Sequence, residues 1–250
     1  MRSRGVSSRI GDMEPHPGES VVLLDSLCRP VGWMPKNDVH TRQTPFHLAL
    51  SCYLFDLRGR ILITQRALSK KTWPGVVTNS ACGHPRVNES LERAARRVVR
   101  HELGCDIAKF KTLLPDFSYR AVSDRGIVEW EYCPVVAAVV DSDDIALNSD
   151  EAEGALWLDW RSFVGIVDSA AIELSPWSRL QVKALKELGP PAGWCDRSDE
   201  LPDFLRCPDA GEPPNSTGST EALTQPTQAF QKTSFGIGDD SSAHRRYHHE

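Results

Sequence analysis

No Cys-x-x-Cys pair occurs among the seven cysteines of the 250-residue chain (Cys28, Cys52, Cys82, Cys105, Cys133, Cys195 and Cys207), nor any zinc-finger spacing. An odd, scattered set of thiols excludes a disulfide framework and favours reduced cysteines in a cytosol-like compartment. No apolar run approaches the ~18 residues needed to span a bilayer. The start of the chain is rich in Arg and Ser but lacks the apolar core of a secretory signal. Positive charge is also short. A net charge of −5 excludes the broad basic footprint of a nucleic-acid binder, while a local cationic pocket for a small anion stays open. The expected setting is cytoplasmic, with neither nucleic acid nor membrane as partner.

The composition that remains, 40% apolar and 25% charged, is that of an ordinary globular domain. Three regions follow from its distribution. Residues 1–19 read as a flexible polar leader, 20–189 as the working domain, and 190–250 as a disordered tail rich in Pro, Ser, Thr and Asp. Within the domain, Val21–Leu24 reads as a short strand. Leu48–Phe55 and Ile61–Arg66 flank a Gly-containing loop and read as a hairpin. Asn88-Glu89-Ser90 can cap a helix whose apolar positions Leu91, Ala94, Ala95, Val98, Val99 and Leu103 recur at helical spacing, with Gly104 to stop it. Strands are expected over Thr112–Arg120, Ile127–Val140 (divided by Pro134) and Ala155–Asp159, a short helix over Trp160–Val167, and a last helix from Ser175-Pro176 to about Leu188. That order predicts an α/β (α+β mixed) fold, a mixed sheet between helices.

The chemistry gathers around Thr78-Asn79-Ser80-Ala81-Cys82-Gly83-His84-Pro85, which sets a thiol and an imidazole two residues apart. Just upstream lies the cationic run Arg66 to Lys71. His40, His47 and His84, with Glu129 and Glu131 two apart on one strand face, could form a mixed N/O site for Zn²⁺, Mn²⁺ or Mg²⁺. Each has a bland alternative: a hydrogen-bonded structural histidine, or a solvent-facing Glu-x-Glu edge with Trp130 turned to the core. Cys82 alone could equally be an inert buried thiol.

Gly83, Glu89, Arg97, Glu102 and Gly104 are spaced like the loop-helix-loop signature of the Nudix superfamily, except that Val98 and His101 stand where its hydrolases usually carry glutamate. Hydrolysis by metal-activated water normally needs several carboxylates, so that array is depleted here. Longer strings match one branch. Lys36…His40…His47, Arg66-Ala67-Leu68-Ser69-Lys70-Lys71-x-Trp73-Pro74-Gly75, Thr78-Asn79-Ser80-x-Cys82-Gly83-His84-Pro85, Pro115-Asp116-Phe117-x-Tyr119-Arg120, Gly126-Ile127-Val128-Glu129-x-Glu131-x-Cys133-Pro134 and Ser175-Pro176-Trp177 resemble the type I isopentenyl-diphosphate isomerases, from about Val21 to Leu188.

The resemblance implies that isopentenyl diphosphate becomes dimethylallyl diphosphate by protonation of an alkene and loss of a neighbouring proton. It implies that His40, His47, His84, Glu129 and Glu131 hold a metal. Glu102 and the Cys82 carbonyl would hold Mg²⁺ brought by the diphosphate, which Lys36, Arg66 and Lys70 would contact. Glu131 with Tyr119 would deliver a proton and Cys82 would remove one, beneath Trp177. The partner would be a small isoprenoid diphosphate, taken by a monomer. Two other readings remain at this stage: a Nudix hydrolase of diphosphates, and a non-catalytic metal- or diphosphate-binding module.

Overall fold

The computed structural model describes residues 19–142 and 144–206. Two long stretches run side by side through its centre. The first is β3 (His47–Leu48) followed by β4 (Leu50–Phe55); the second is β10 (Val128–Tyr132) followed by β11 (Val135–Val140). They pair in parallel, β3 with β10 in one sheet and β4 with β11 in another, and the Ala49 N–H to Tyr132 carbonyl bond (2.8 Å) joins the two ladders. Pro134 divides the second stretch as expected, because it has no N–H to donate to a ladder.

The smaller sheet has the order β2-β1-β3-β10-β9, adding β1 (Ser20–Leu24), β2 (Pro30–Pro35) and β9 (Ser118–Val122). The larger has the path β12-β5-β4-β11-β8, with β5 (Arg60–Arg66), β8 (Ile107–Leu114) and β12 (Ala152–Asp159); β6 (Val77–Thr78) pairs with β5, and β7 (Ala81–Gly83) with β4. The expected single strand over Thr112–Arg120 is therefore two strands in different sheets. Pro115 explains the break: its missing N–H ends β8, and the chain turns before β9 starts.

Among the described residues there are four α-helices: α1 (Lys36–Val39), α2 (Leu91–Leu103), α3 (Trp160–Asp168) and α4 (Pro176–Glu187). The larger sheet is covered on both faces, which is why β4 and β11 are nearly continuous apolar runs. Leu50, Cys52 and Leu54 point to the side of α2, whereas Tyr53 and Phe55 point to the side of α3 and α4. Ser90 caps α2 by accepting from the Arg93 N–H, and Gly104 ends it in the left-handed conformation (φ 66°). The six apolar positions read from the sequence are all buried, each fully buried Leu or Val contributing about 1.5–3 kcal/mol.

Packing does not stop at Gly189. Residues 190–206 form three short 3-10 turns, and Trp194, Leu201 and Leu205 are 4%, 3% and 1% exposed. The segment straps the edge strand β8: the Arg197 N–H donates to the Thr112 carbonyl and the Thr112 N–H to Asp196 Oδ1. Composition placed the boundary at 189 because prolines punctuate a polar sequence without sustained periodicity there, yet three large apolar side chains suffice to anchor it. Residues 1–18 of the expected leader and 207–250 of the expected tail lie outside the described residues. Among the described residues no helix is long and apolar enough to cross a membrane.

Candidate active site

Strand register assembles the centre. His47 on β3 is the direct register partner of Glu131 on β10, and Glu131 is in turn opposite Tyr119 on β9. Glu129 and Glu131 share one strand face and both are 6% exposed; Trp130 between them is 43% exposed and lies against Phe46, with ring centroids 5.3 Å apart. The pair is thus turned inward, the reverse of a solvent-facing edge. His84 follows β7, and Arg97 on α2 steadies that turn by donating to the His84 carbonyl while pairing with Glu89. Gly83 is required there, since a Cβ would stand 2.4 Å from Val98 Cγ2.

Three imidazoles converge on one carboxylate. The Nε2 atoms of His40, His47 and His84 lie 3.7, 3.3 and 3.6 Å from Glu131 Oε1. One ligand atom from each of these four residues can be chosen so that all lie within 4.8 Å of one another. The three Nε2 atoms are buried without a hydrogen-bond partner, a costly arrangement for polar groups unless a cation satisfies them. His47 Nδ1 sits 2.8 Å from the Pro45 carbonyl, which can only accept. A proton therefore sits on Nδ1, which leaves Nε2 as the atom turned to the cluster, the orientation of a metal-ligating histidine. Burial pushes His84 down to about 4, so it is neutral at pH 7. For Glu131, burial is outweighed by the three imidazoles, which hold it well below the usual carboxylate range. The donor set fits a divalent cation.

Glu129, expected as a fifth ligand, is engaged differently. Its Oε1 accepts from Thr72 Oγ1 (2.7 Å) and its Oε2 from the Tyr119 hydroxyl (2.8 Å). Tyr119 thus rests on Glu129 and not on Glu131, and burial together with the Glu129 charge raises its phenol well above the ordinary value.

A cavity of about 340 Å³ opens beside this cluster, between the two sheets. It is lined by Lys36, His40, Arg66, Lys70, Cys82, His84, Glu102, Tyr119, Glu129, Glu131 and Trp177, so the sequence-predicted residues form one site, with the fully buried His47 behind them. Burial raises the Cys82 thiol to about 12, helped by the Glu102 charge, so it rests as S–H. Arg66 donates to the Thr72 carbonyl and its guanidinium carbon stands 5.2 Å from the centre of the Trp177 ring. Lys36 pairs with Glu19 at 2.9 Å. Lys70 pairs closely with Glu151, a residue that sequence reading gave no role. Burial and then the Glu151 charge raise Glu102 to about 8. No local signal marks Glu151: it lies 81 positions from Lys70 and reaches the cavity only because β12 begins there.

Residues 45–180 match the NUDIX domain family. The chain is 47% identical over 188 residues to the isopentenyl-diphosphate Delta-isomerase of Saccharopolyspora erythraea, covering 74% of this chain and 96% of that one. The chain belongs to the isopentenyl-diphosphate Delta-isomerases of the Nudix superfamily. The isomerase of Corynebacterium diphtheriae is also 47% identical, over 67% of this chain and 94% of its own length. Among solved structures, DR0079 of Deinococcus radiodurans is 20% identical with a TM-score of 0.53, covering 66% of this chain and 98% of that one, and shares the fold. Family membership gives the cavity its interest. The groups on its walls come from β7 and from β9 and β10, which belong to different sheets.

Proposed function

We propose that the protein converts isopentenyl diphosphate to dimethylallyl diphosphate, with Cys82 and the Glu131–Tyr119 pair moving the protons. The observation that carries the reading is the convergence of these groups, from two different sheets, on one cavity with a cationic end and an aromatic wall. Lys36, Arg66 and Lys70 take the diphosphate, Arg66 as a bidentate donor and the lysines as point charges. Trp177 faces the hydrocarbon, where its ring stabilises cationic character by about 0.5–2 kcal/mol and its bulk keeps water away.

Glu131 with Tyr119 delivers a proton to the terminal alkene carbon, and Cys82 removes one from the neighbouring carbon. In the resting protein the thiol holds its proton and Glu131 lacks one. The proton to be delivered is then the one on the Tyr119 phenol, which burial keeps protonated, and Cys82 must give up its own proton before it can accept one from the substrate. His40, His47, His84 and Glu131, with Glu129 adjoining, would hold Zn²⁺, Mn²⁺ or Mg²⁺, and Glu102 with the Cys82 carbonyl would hold Mg²⁺ on the diphosphate. Such cations neutralise diphosphate charge and tune nearby acidity. The residues assigned to the site all come from one chain, which supports a monomer, and the six described cysteines are free thiols, which supports a cytoplasmic setting.

Proton NMR with Mg²⁺ and isopentenyl diphosphate in D₂O tests the reading. Loss of the terminal alkene signals with new, deuterium-bearing methyl signals is expected. Released phosphate with the alkene intact would overturn it in favour of a hydrolase, and an unchanged substrate in favour of a binding module.

A further inference from the structure

Asn79 is fully buried, and every hydrogen-bonding position of its side chain is in use. The Nδ2 group donates to the Cys52 carbonyl (3.1 Å) and the Ala81 carbonyl (2.9 Å). Because carbonyls only accept, those two contacts fix which way the amide is turned and aim Oδ1 the other way. There Oδ1 accepts from three groups: Thr78 Oγ1 at 2.9 Å, Trp177 Nε1 at 3.0 Å and Cys82 Sγ at 3.2 Å. Thr78 Oγ1 in turn lies 2.8 Å from Ser175 Oγ, the cap of α4, whose first turn carries Trp177. One oxygen thus ties the strand that carries Cys82 to the helix that carries Trp177.

We propose that Asn79 is a positioning residue that fixes the Cys82 thiol and the Trp177 indole relative to each other, an inference that rests on the isomerase reading. Its own side chain is absent from the cavity lining, so it acts through its two neighbours. The Trp177 ring also packs against Trp73 edge-on at 5.4 Å and Tyr119 at 5.9 Å, with the Arg66 guanidinium carbon 5.2 Å from its centre. These contacts pack against the ring, and the Nε1–H bond to Asn79 Oδ1 anchors its polar edge, which fixes how its face is presented to the cavity. The same oxygen, together with Ser51 Oγ 3.5 Å from the sulfur, holds the Cys82 thiol in place. Asn is suited to this in a way Asp is not, since a carboxylate would meet the Cys52 and Ala81 carbonyls with repulsion. The bond to Trp177 cannot be read from the sequence, since the two residues are 98 positions apart.

The test uses the full chain with Mg²⁺. Asn79→Ala is expected to lower kcat by about 100-fold, the usual cost of a misplacement near 1 Å, with KM within about threefold. A second readout is the affinity ratio, by calorimetry, of an ammonium diphosphate that mimics the cation to the saturated five-carbon diphosphate. That ratio should fall by about tenfold or more, as a lost cation–π alignment requires, with inorganic pyrophosphate binding unchanged. Trp177→Phe keeps a ring but removes the N–H, and in that background Asn79→Ala should cost several-fold less than in the wild type. A folded Asn79→Ala protein with near-normal kcat, an unchanged affinity ratio, or full additivity with Trp177→Phe would each overturn the proposal. If Asn79→Ala does not fold, Trp177→Phe decides alone, and wild-type kcat in it would refute the role. A wild-type protein that fails to isomerise the substrate would instead refute the isomerase reading and is seen before any variant is made.

Discussion

At neutral pH the Cys82 thiol should be far less reactive than a catalytic cysteine is ordinarily expected to be. Burial, with the Glu102 charge, pushes it up to about 12 against the opposing bonds to Ser51 and Asn79. At pH 8 such a thiol is ionised to roughly one part in 10⁴, whereas an ordinary cysteine near 8.5 is ionised to about one quarter. The more basic thiolate is the better nucleophile, by about 25-fold for a Brønsted slope of about 0.4, which leaves a net deficit on the order of 100-fold. Restricted access lowers the absolute rate further, so the pH dependence is the cleaner measurement. Iodoacetamide labelling of the native protein, quenched and digested with trypsin, isolates residues 72–86, in which Cys82 is the sole cysteine. The logarithm of the labelling rate should climb by about one per pH unit from about pH 7 to about pH 10 without a plateau. A plateau centred near pH 8 would refute the argument and would mean that the cavity stabilises the thiolate in the resting protein.

Other consequences follow from the packing and the charge pairs. Leu205→Ala should cost about 2–4 kcal/mol and lower Tm by on the order of 10 °C, because Leu205 is 1% exposed within the α2-side core. Asp203→Ala, two residues away on a side chain that is 96% exposed, should stay within about 0.5 kcal/mol; equal melting of both variants would show that the segment after Gly189 does not anchor the core. Glu131→Gln should lose about one equivalent of divalent metal in elemental analysis after gel filtration, and full retention would contradict the assignment of Glu131 as the carboxylate ligand. Glu151→Gln removes the resting counter-ion of Lys70, and pyrophosphate binding in EDTA should tighten roughly fivefold; weaker binding would show that Glu151 does more than compete for Lys70.

The elements of the domain were largely legible in local pattern. The six apolar positions of α2, its Ser90 cap and its Gly104 stop follow from helical spacing and backbone conformation alone. So do the Asp56–Gly59 turn between β4 and β5 and the Pro176 start of α4. The motif strings also brought the candidate residues onto one list, and register explains why they share one cavity. Pairing partners, by contrast, are chosen between segments far apart in the chain. That His47 faces Glu131, that Tyr119 rests on Glu129, and that Glu151 holds Lys70 are outcomes of strand register, which no local spacing encodes. The strap over β8 was missed for a related reason: a polar, proline-rich segment reads as uncovered unless the surface that receives Trp194, Leu201 and Leu205 is known. Sequence by itself determined which chemical groups are available and which local shapes carry them. Only the tertiary structure decided which groups meet, because contact free energy between distant segments depends on register and burial that exist only once the two sheets have formed.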